Sequence, residues 1–187
     1  RRTVQILSNQ QSAATDVRLD LSDSIARAKI DPEQFRQVVI NLLQNAMQAM
    51  NGHGKITIST TPRKLARAWV TMPAGERGSV RSVASRSSRP DEGLLEFVEV
   101  AVRDTGPGIS QKVLKNLFVP FFTTKEQGTG LGLAISQSIV QAAGGTIDVV
   151  SQAGAGTTFT ILLPAAPDAL GTPMPEASPL QPVAIAK

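Results

Sequence analysis

The stretch that constrains the fold most is residues 104–132, DTGPGISQKVLKNLFVPFFTTKEQGTGLG. It is fed by LLEFVEVAVRD (94–104), a strand in which Val98, Val100, Val102 and Asp104 share one face. That alternation carries Asp104 to the core side, where a carboxylate needs a donor. At its other end Gly128-Thr129-Gly130-Leu131-Gly132 opens the helix LAISQSIVQAA. Free amides at a helix N-terminus bind phosphate, and glycines let it come near. The part between is mostly loop, with one short helix predicted near 110–117 and the next over 130–143. Such a chain needs a sheet to carry the aspartate and a helical layer to carry the glycines.

Upstream, QFRQVVINLLQNAMQAM (34–50) is predicted as a helix, capped by Asp31, with Pro32 at its first position and Asn51-Gly52 at its end. A 3.6-residue period puts Gln34, Gln37, Asn41, Gln44, Asn45 and Gln48 on one stripe, with apolar residues in nearly every other direction. A face in bulk water normally carries Lys and Glu. Amides without charge suit a polar pocket, and a buried amide network fits equally well. Asn41 and Asn45 lie one turn apart and can point at one ligand. An asparagine oxygen is a hard, neutral ligand suited to Mg²⁺ that is held partly by phosphates.

The remaining pattern gives a strand at 17–22, a second short one near 25–30, and strands at 55–60, 145–151 and 157–164. Residues 1–12 read as the end of an upstream helix. Residues 62–93, rich in Arg, Ser, Gly and Pro, read as a flexible insertion in a hairpin-like connection. The Pro/Ala-rich tail 165–187 reads as disordered. The fold class is α+β, a two-layer sandwich with a mixed sheet of about five strands and about three helices on one face. Residues 13–164 form the domain.

The net charge of +4 hides an uneven distribution. Residues 62–90 carry seven basic side chains against Glu76 alone, so the rest of the chain is net acidic. A basic patch confined to one segment, with Trp69 the one aromatic among it, argues against a nucleic-acid partner. No apolar run reaches membrane-spanning length, so no membrane contact is expected. The absence of cysteine excludes disulfides and thiolate metal sites and fits a cytoplasmic setting. The chain begins Arg1-Arg2-Thr3 and reads as a piece of a longer protein.

Taken singly, each motif has a bland alternative. Asp-Thr-Gly-Pro-Gly also makes an ordinary turn, with proline fixing φ. The glycines also serve close packing. The spacing fits neither a Walker A loop, which needs Gly-Lys-Ser/Thr, nor a dinucleotide fingerprint after a strand. Together they describe a site for a nucleotide and its metal ion.

In order and spacing the chain resembles the catalytic, ATP-binding domain of bacterial sensor histidine kinases, within the GHKL ATPase superfamily. NLLQNAMQA (41–49) matches the asparagine box and DTGPG (104–108) the first glycine box. LFVPFF (117–122) with TTK (123–125) matches the phenylalanine box, and GTGLGL (128–133) the second glycine box. GAGTTF (154–159) matches a further motif near the adenine. The resemblance covers about residues 5–164, and NAMQAM with PFFTTK is most similar to the nitrogen-regulator subgroup.

The resemblance implies a Bergerat-type ATP-binding fold with ATP and Mg²⁺ as cofactors. Asn45 would coordinate Mg²⁺, with Asn41 in the same site and Gln48 beside it. Asp104 would accept from the adenine amino group, with Gly106, Gly108 and Ile109 near the base and Thr157 reaching it through water. Gly128, Thr129, Gly130, Leu131, Gly132 and Leu133 would face the phosphates. Residues 109–129 would form a mobile lid, anchored by Phe118, Phe121 and Phe122, with Thr123 in it. Plain core packing explains those phenylalanines equally well. Lys125 would approach the γ-phosphate, which makes Asn41, Asn45 and Lys125 the catalytic candidates. Two positions depart from the family: Gln48 stands where Lys or Arg is frequent, so Lys125 is expected to meet the phosphate charge, and Val119 stands where an acidic residue is common.

The resemblance further implies phosphoryl transfer to a histidine on a separate dimerisation domain, and from there to a response regulator. The one histidine, His53 in Asn51-Gly52-His53-Gly54, sits in a predicted tight turn and is a poor acceptor. Three alternatives remain: a GHKL serine kinase of the anti-sigma type, a gyrase- or MutL-like hydrolase, and a nucleotide-binding module without catalysis. Such hydrolases place a glutamate base one turn before the asparagine. Here that position is Asn41, which cannot take a proton from water.

Overall fold

The computed structural model describes residues 15–66, 94–125 and 128–166. Strand β1 (Thr15–Leu21) is followed by α1 (Pro32–Ala49), β2 (Gly54–Ala66) and β3 (Leu94–Asp104). Then come α2 (Gln111–Leu114), α3 (Gly132–Ala142), β4 (Thr146–Gln152) and β5 (Gly156–Pro164). The sheet order is β1-β2-β3-β5-β4. β1 and β2 run parallel, joined by α1 as the crossover that a parallel pair requires, and all other pairs are antiparallel. This is the mixed five-stranded sheet expected from the sequence.

Helix α1 starts where its cap chemistry dictates. The Asp31 carboxylate accepts from the backbone N–H of Glu33 and Gln34 at 2.9 Å each, and Pro32 follows at the position where a missing N–H is harmless. Its apolar side, with Val38, Leu42, Leu43 and Met47, buries against the inner sheet face. There Ile56 and Ile58 meet Val98, Val100, Val102, Phe159, Ile161 and Leu163. Val140 of α3 closes the core from the same side. Register aligns Ile58 with Val102 and Val102 with Phe159. The inner row of β3 therefore ends on Asp104, only 4% exposed.

The hairpin β2–β3 is longer than predicted. The strand expected to stop at 60 continues to Ala66, and residues 62–66 pair with Leu94–Val98. They are not part of a flexible insertion. Pro62 had signalled a break, but β1 pairs only as far as Thr60, so beyond it β2 is an edge strand, where a residue lacking N–H is tolerated. Two contacts fix the extension. The Arg63 guanidinium holds Glu99 through Nε and Nη2 at 2.8 and 3.0 Å. Leu65 is buried with Phe97 and Leu162 in a small second cluster. Residues 67–93, including Trp69, lie outside the described residues, as do 1–14 and 167–187.

The short strand expected near 25–30 is reduced to a single bridge, Ala28 to Ala165. The chain must turn there into the Asp31 cap, so no ladder develops. Ala165 and Ala166, assigned from the sequence to a disordered tail, are hydrogen-bonded to Glu96 O (2.9 Å) and Arg27 O (2.7 Å). No helix among the described residues is long and apolar enough to cross a membrane.

Candidate functional site

Between α1, the end of β3 and the start of α3 lies a cavity of about 800 Å³, within the range of small-molecule sites. Helix α1 contributes Asn41, Gln44, Asn45 and Gln48. Gln34 and Gln37, on the same predicted stripe, are exposed and do not reach it. Asp104 comes from β3, Gly108 and Ile109 from the turn after it, and Thr157 from β5. Phe122, Thr123 and Lys125 form another wall, with Gly128, Thr129, Gly130, Gly132 and Leu133 around the N-terminus of α3. Three expected residues, Gly106, Phe118 and Leu131, do not line the cavity.

Asp104 is held by its neighbours. Its Oδ1 accepts the backbone N–H of Gly106 at 2.9 Å and of Thr157 at 3.1 Å. Its second oxygen takes no hydrogen bond from the described residues, which leaves it for a donor in the cavity. Gly106 thus acts on the aspartate through its amide, although it does not border the cavity. Gly108 adopts φ 75°, and a Cβ there would lie 2.1 Å from Gln152 O, so only glycine fits the turn.

One residue that the motifs did not single out ties this corner together. Ser151 Oγ receives the Ile109 N–H at 2.8 Å, donates to Gly156 O at 3.0 Å and lies 3.0 Å from Thr157 Oγ1. It fixes both the loop after Asp104 and the side chain of Thr157. A second missed residue is Ser136 of α3, 1% exposed. Its Oγ receives Asn41 Nδ2 at 2.9 Å. Asn41 lies so close over the start of α3 that a Cβ on Gly132 would meet Asn41 Oδ1 at 2.4 Å. Gln44, Ala46, Ala49, Ser110, Val113, Leu117, Thr124 and Phe159 complete the lining, although none was singled out as a site residue. Gln44 stood on the amide stripe, and the others fell inside the matched boxes or the lid segment without a role of their own.

The phenylalanines separate. Phe118 packs against the core and Phe122 lines the cavity. Phe121, expected as an anchor, is 74% exposed with φ 65°. Its backbone does the anchoring, since its N–H bonds Gly130 O at 3.0 Å. Val119 is half exposed.

Lys125 reaches across to α1. Its Nζ donates to Asn45 Oδ1 at 2.7 Å and to Gln48 Oε1 at 2.5 Å. The ammonium therefore stands beside residue 48, where the resemblance leaves a basic side chain missing. Partial burial pushes the Lys125 amine below its ordinary pKa. Among the described residues the cavity wall holds one carboxylate, Asp104, and one cation, Lys125. At α3 the N-cap residue Leu131 gives no side-chain cap, so the first-turn amides have no side-chain acceptor.

No cluster of three His, Cys, Asp or Glu side chains exists among the described residues. The amide oxygens that line this cavity, all neutral, belong to Asn41, Gln44, Asn45 and Gln48. Such a set fits Mg²⁺ only where an anionic ligand supplies the charge.

A two-layer sandwich with its cavity between an amide-bearing helix and a glycine-rich helix start defines a nucleotide-binding domain of ATPase type. Residues 30–167 match the family of histidine kinase-, DNA gyrase B- and HSP90-like ATPases. The chain belongs to that family, and within it is the ATP-binding catalytic domain found in sensor histidine kinases. It is 35% identical over 163 residues to the sensor histidine kinase ZraS of Escherichia coli K12, covering 87% of this chain and 28% of ZraS. It is 38% identical over 151 residues to the sensor kinase CckA of Brucella abortus, covering 80% and 14%. The solved nucleotide-free catalytic domain of the histidine kinase ThkA superposes with a TM-score of 0.60 at 28% identity, covering 87% of this chain and 86% of that one. The chain thus spans less than a third of the length of these two curated relatives.

Proposed function

We propose that this chain binds ATP with Mg²⁺ and donates its γ-phosphoryl group to a histidine on a dimerisation domain outside residues 1–187, from which a response regulator is then served. On this reading Asp104 receives the adenine amino group, and Ile109, Gly108 and Thr157 border the base. Asn45, assisted by Asn41, holds the metal ion, and the first-turn amides of α3 with Gly130 and Gly132 meet the phosphates. Residues 109–129 act as the lid, and the domain works in the cytoplasm. The histidine nitrogen attacks the γ-phosphorus, the bond to the β–γ bridging oxygen breaks, and ADP leaves. When bound, Mg²⁺ neutralises charge on the phosphate oxygens.

The observation that carries this reading is Asp104: a buried carboxylate at the end of an apolar strand, with one oxygen fixed by two amides and the other left for the cavity. An ordinary turn aspartate would be exposed. Hydrolysis is disfavoured because Asn41, one turn before Asn45, is not a base and its amide is committed to Ser136. Isothermal titration with ATP, ADP and a non-hydrolysable analogue tests the binding step, with an expected Kd between micromolar and millimolar, about −8 to −4 kcal/mol. No heat with any of them would end the proposal. For the transfer step, Asn45→Ala should abolish labelling of an added dimerisation domain while keeping part of the ADP affinity.

A further inference from the structure

Lys125 and Asn45 are 80 residues apart in sequence, yet Lys125 Nζ rests on Asn45 Oδ1 at 2.7 Å, with Gln48 Oε1 at 2.5 Å as its second acceptor. Both acceptors are neutral. The one carboxylate of the described cavity wall, Asp104, is engaged elsewhere with Gly106 and Thr157. The ammonium therefore keeps its full charge toward any anion that enters. It also covers the same kind of oxygen that a hard cation requires, on the residue best placed to offer one. A metal ion on Asn45 Oδ1 would stand directly beside the ammonium, with no intervening group to screen the repulsion.

We infer that Lys125 and the divalent ion are alternative occupants of Asn45 Oδ1, with Gln48 as the lysine's second foothold. The inference rests on the reading of the cavity as a nucleotide site. It adds a coupling that Lys125 as a mere phosphate contact lacks. Without metal, Lys125 is the cation that a polyphosphate meets on this wall, so it supports binding of the bare nucleotide. With metal, the lysine must first give up Asn45, which subtracts from the metal's contribution. Both effects act in one direction: the lysine makes nucleotide binding less dependent on the divalent ion. Gln48 is specific to the arrangement, because a lysine at 48 would start from the same helix face, one turn beyond Asn45, and could occupy the same spot.

The experiment is ADP titration of the intact chain, in excess EDTA and in excess Mg²⁺, for the wild type, Lys125→Gln and the double variant Gln48→Lys/Lys125→Gln. Lys125 and Gln48 both keep much of their surface in solvent, so the substitutions should leave the melting temperature unchanged. For the wild type we expect binding in both conditions. For K125Q the affinity in EDTA should fall about tenfold or more, while in Mg²⁺ it stays within about threefold. The ratio of the two affinities, the dependence on metal, should then rise by about threefold or more. The double variant should bring that ratio back to within about threefold of the wild type. A parallel loss in EDTA and Mg²⁺ would show that lysine and metal do not share the oxygen and would overturn the inference, with the nucleotide site intact. Failure of the double variant to restore the ratio would remove Gln48 from it. A wild type that binds ADP in neither condition would instead defeat the nucleotide reading itself.

Discussion

Replacing Asp104 by asparagine separates the ligand role of this residue from its structural role. In the native site Oδ1 serves the amides of Gly106 and Thr157 at 2.9 and 3.1 Å. Asparagine can present its single oxygen to the same two donors. Its NH₂ group then takes the place of the free carboxylate oxygen and faces the cavity. A ligand amino group that met an acceptor now meets a donor. The loss is that of a charge-assisted hydrogen bond, about 1.5–3 kcal/mol, or on the order of 10- to 150-fold in affinity. Stability should barely change, because both backbone donors remain satisfied. Asp104→Ala is the contrast. It strips two buried N–H groups of their acceptor at about 1–3 kcal/mol each, and the melting temperature should fall by several degrees. Titration calorimetry with ATP and GTP, beside thermal melts, reads both quantities. The wild type should prefer ATP, and the asparagine variant should lose most of that preference. An asparagine variant that melts normally and binds ATP within threefold of wild type would refute the assignment, as would a wild type indifferent to the two bases.

Gly132→Ala places a Cβ 2.4 Å from Asn41 Oδ1, and the amide cannot swing away without loosening Ser136. The gain in helix propensity, about 1 kcal/mol, offsets that loss of about 0.5–1.5 kcal/mol; melts should shift little while ATP affinity drops several-fold, and unchanged affinity would take Asn41 out of the site. Ser151→Ala removes the acceptor of the Ile109 N–H and should weaken ADP several-fold by freeing the loop after Asp104, which calorimetry would detect. Leu65→Ala should cost about 2–5 kcal/mol in denaturant unfolding, because Leu65 is buried with Phe97 and Leu162; ADP affinity should not move, since that cluster is separate from the cavity. The isolated chain should take no acid-labile label from γ-labelled ATP. Its one histidine, His53, is exposed in the turn after α1, with Nδ1 2.8 Å from Asn51 O, and stoichiometric label there would contradict the transfer mechanism.

The sequence alone determined the features written in local periodicity and cap chemistry. Asp31-Pro32 set the start of the amide helix because capping needs only neighbours. The alternation of β3 put Asp104 on the inner face because side chains in a strand point to opposite sides in turn. The order of the boxes determined the family. Tertiary structure decided what depends on residues distant in the chain. β2 runs past Pro62 because Glu99 and Phe97 on the neighbouring strand receive Arg63 and Leu65. Phe121 turns to solvent because the contact at that point runs through its backbone to Gly130. Ser136 and Ser151 acquire their roles through hydrogen bonds to Asn41 and Ile109, which are 95 and 42 residues away. Lys125 finds Asn45 and Gln48 in the same manner. A hydroxyl or an ammonium forms bonds with whatever the fold brings within about 3 Å, and no spacing along the chain records that distance.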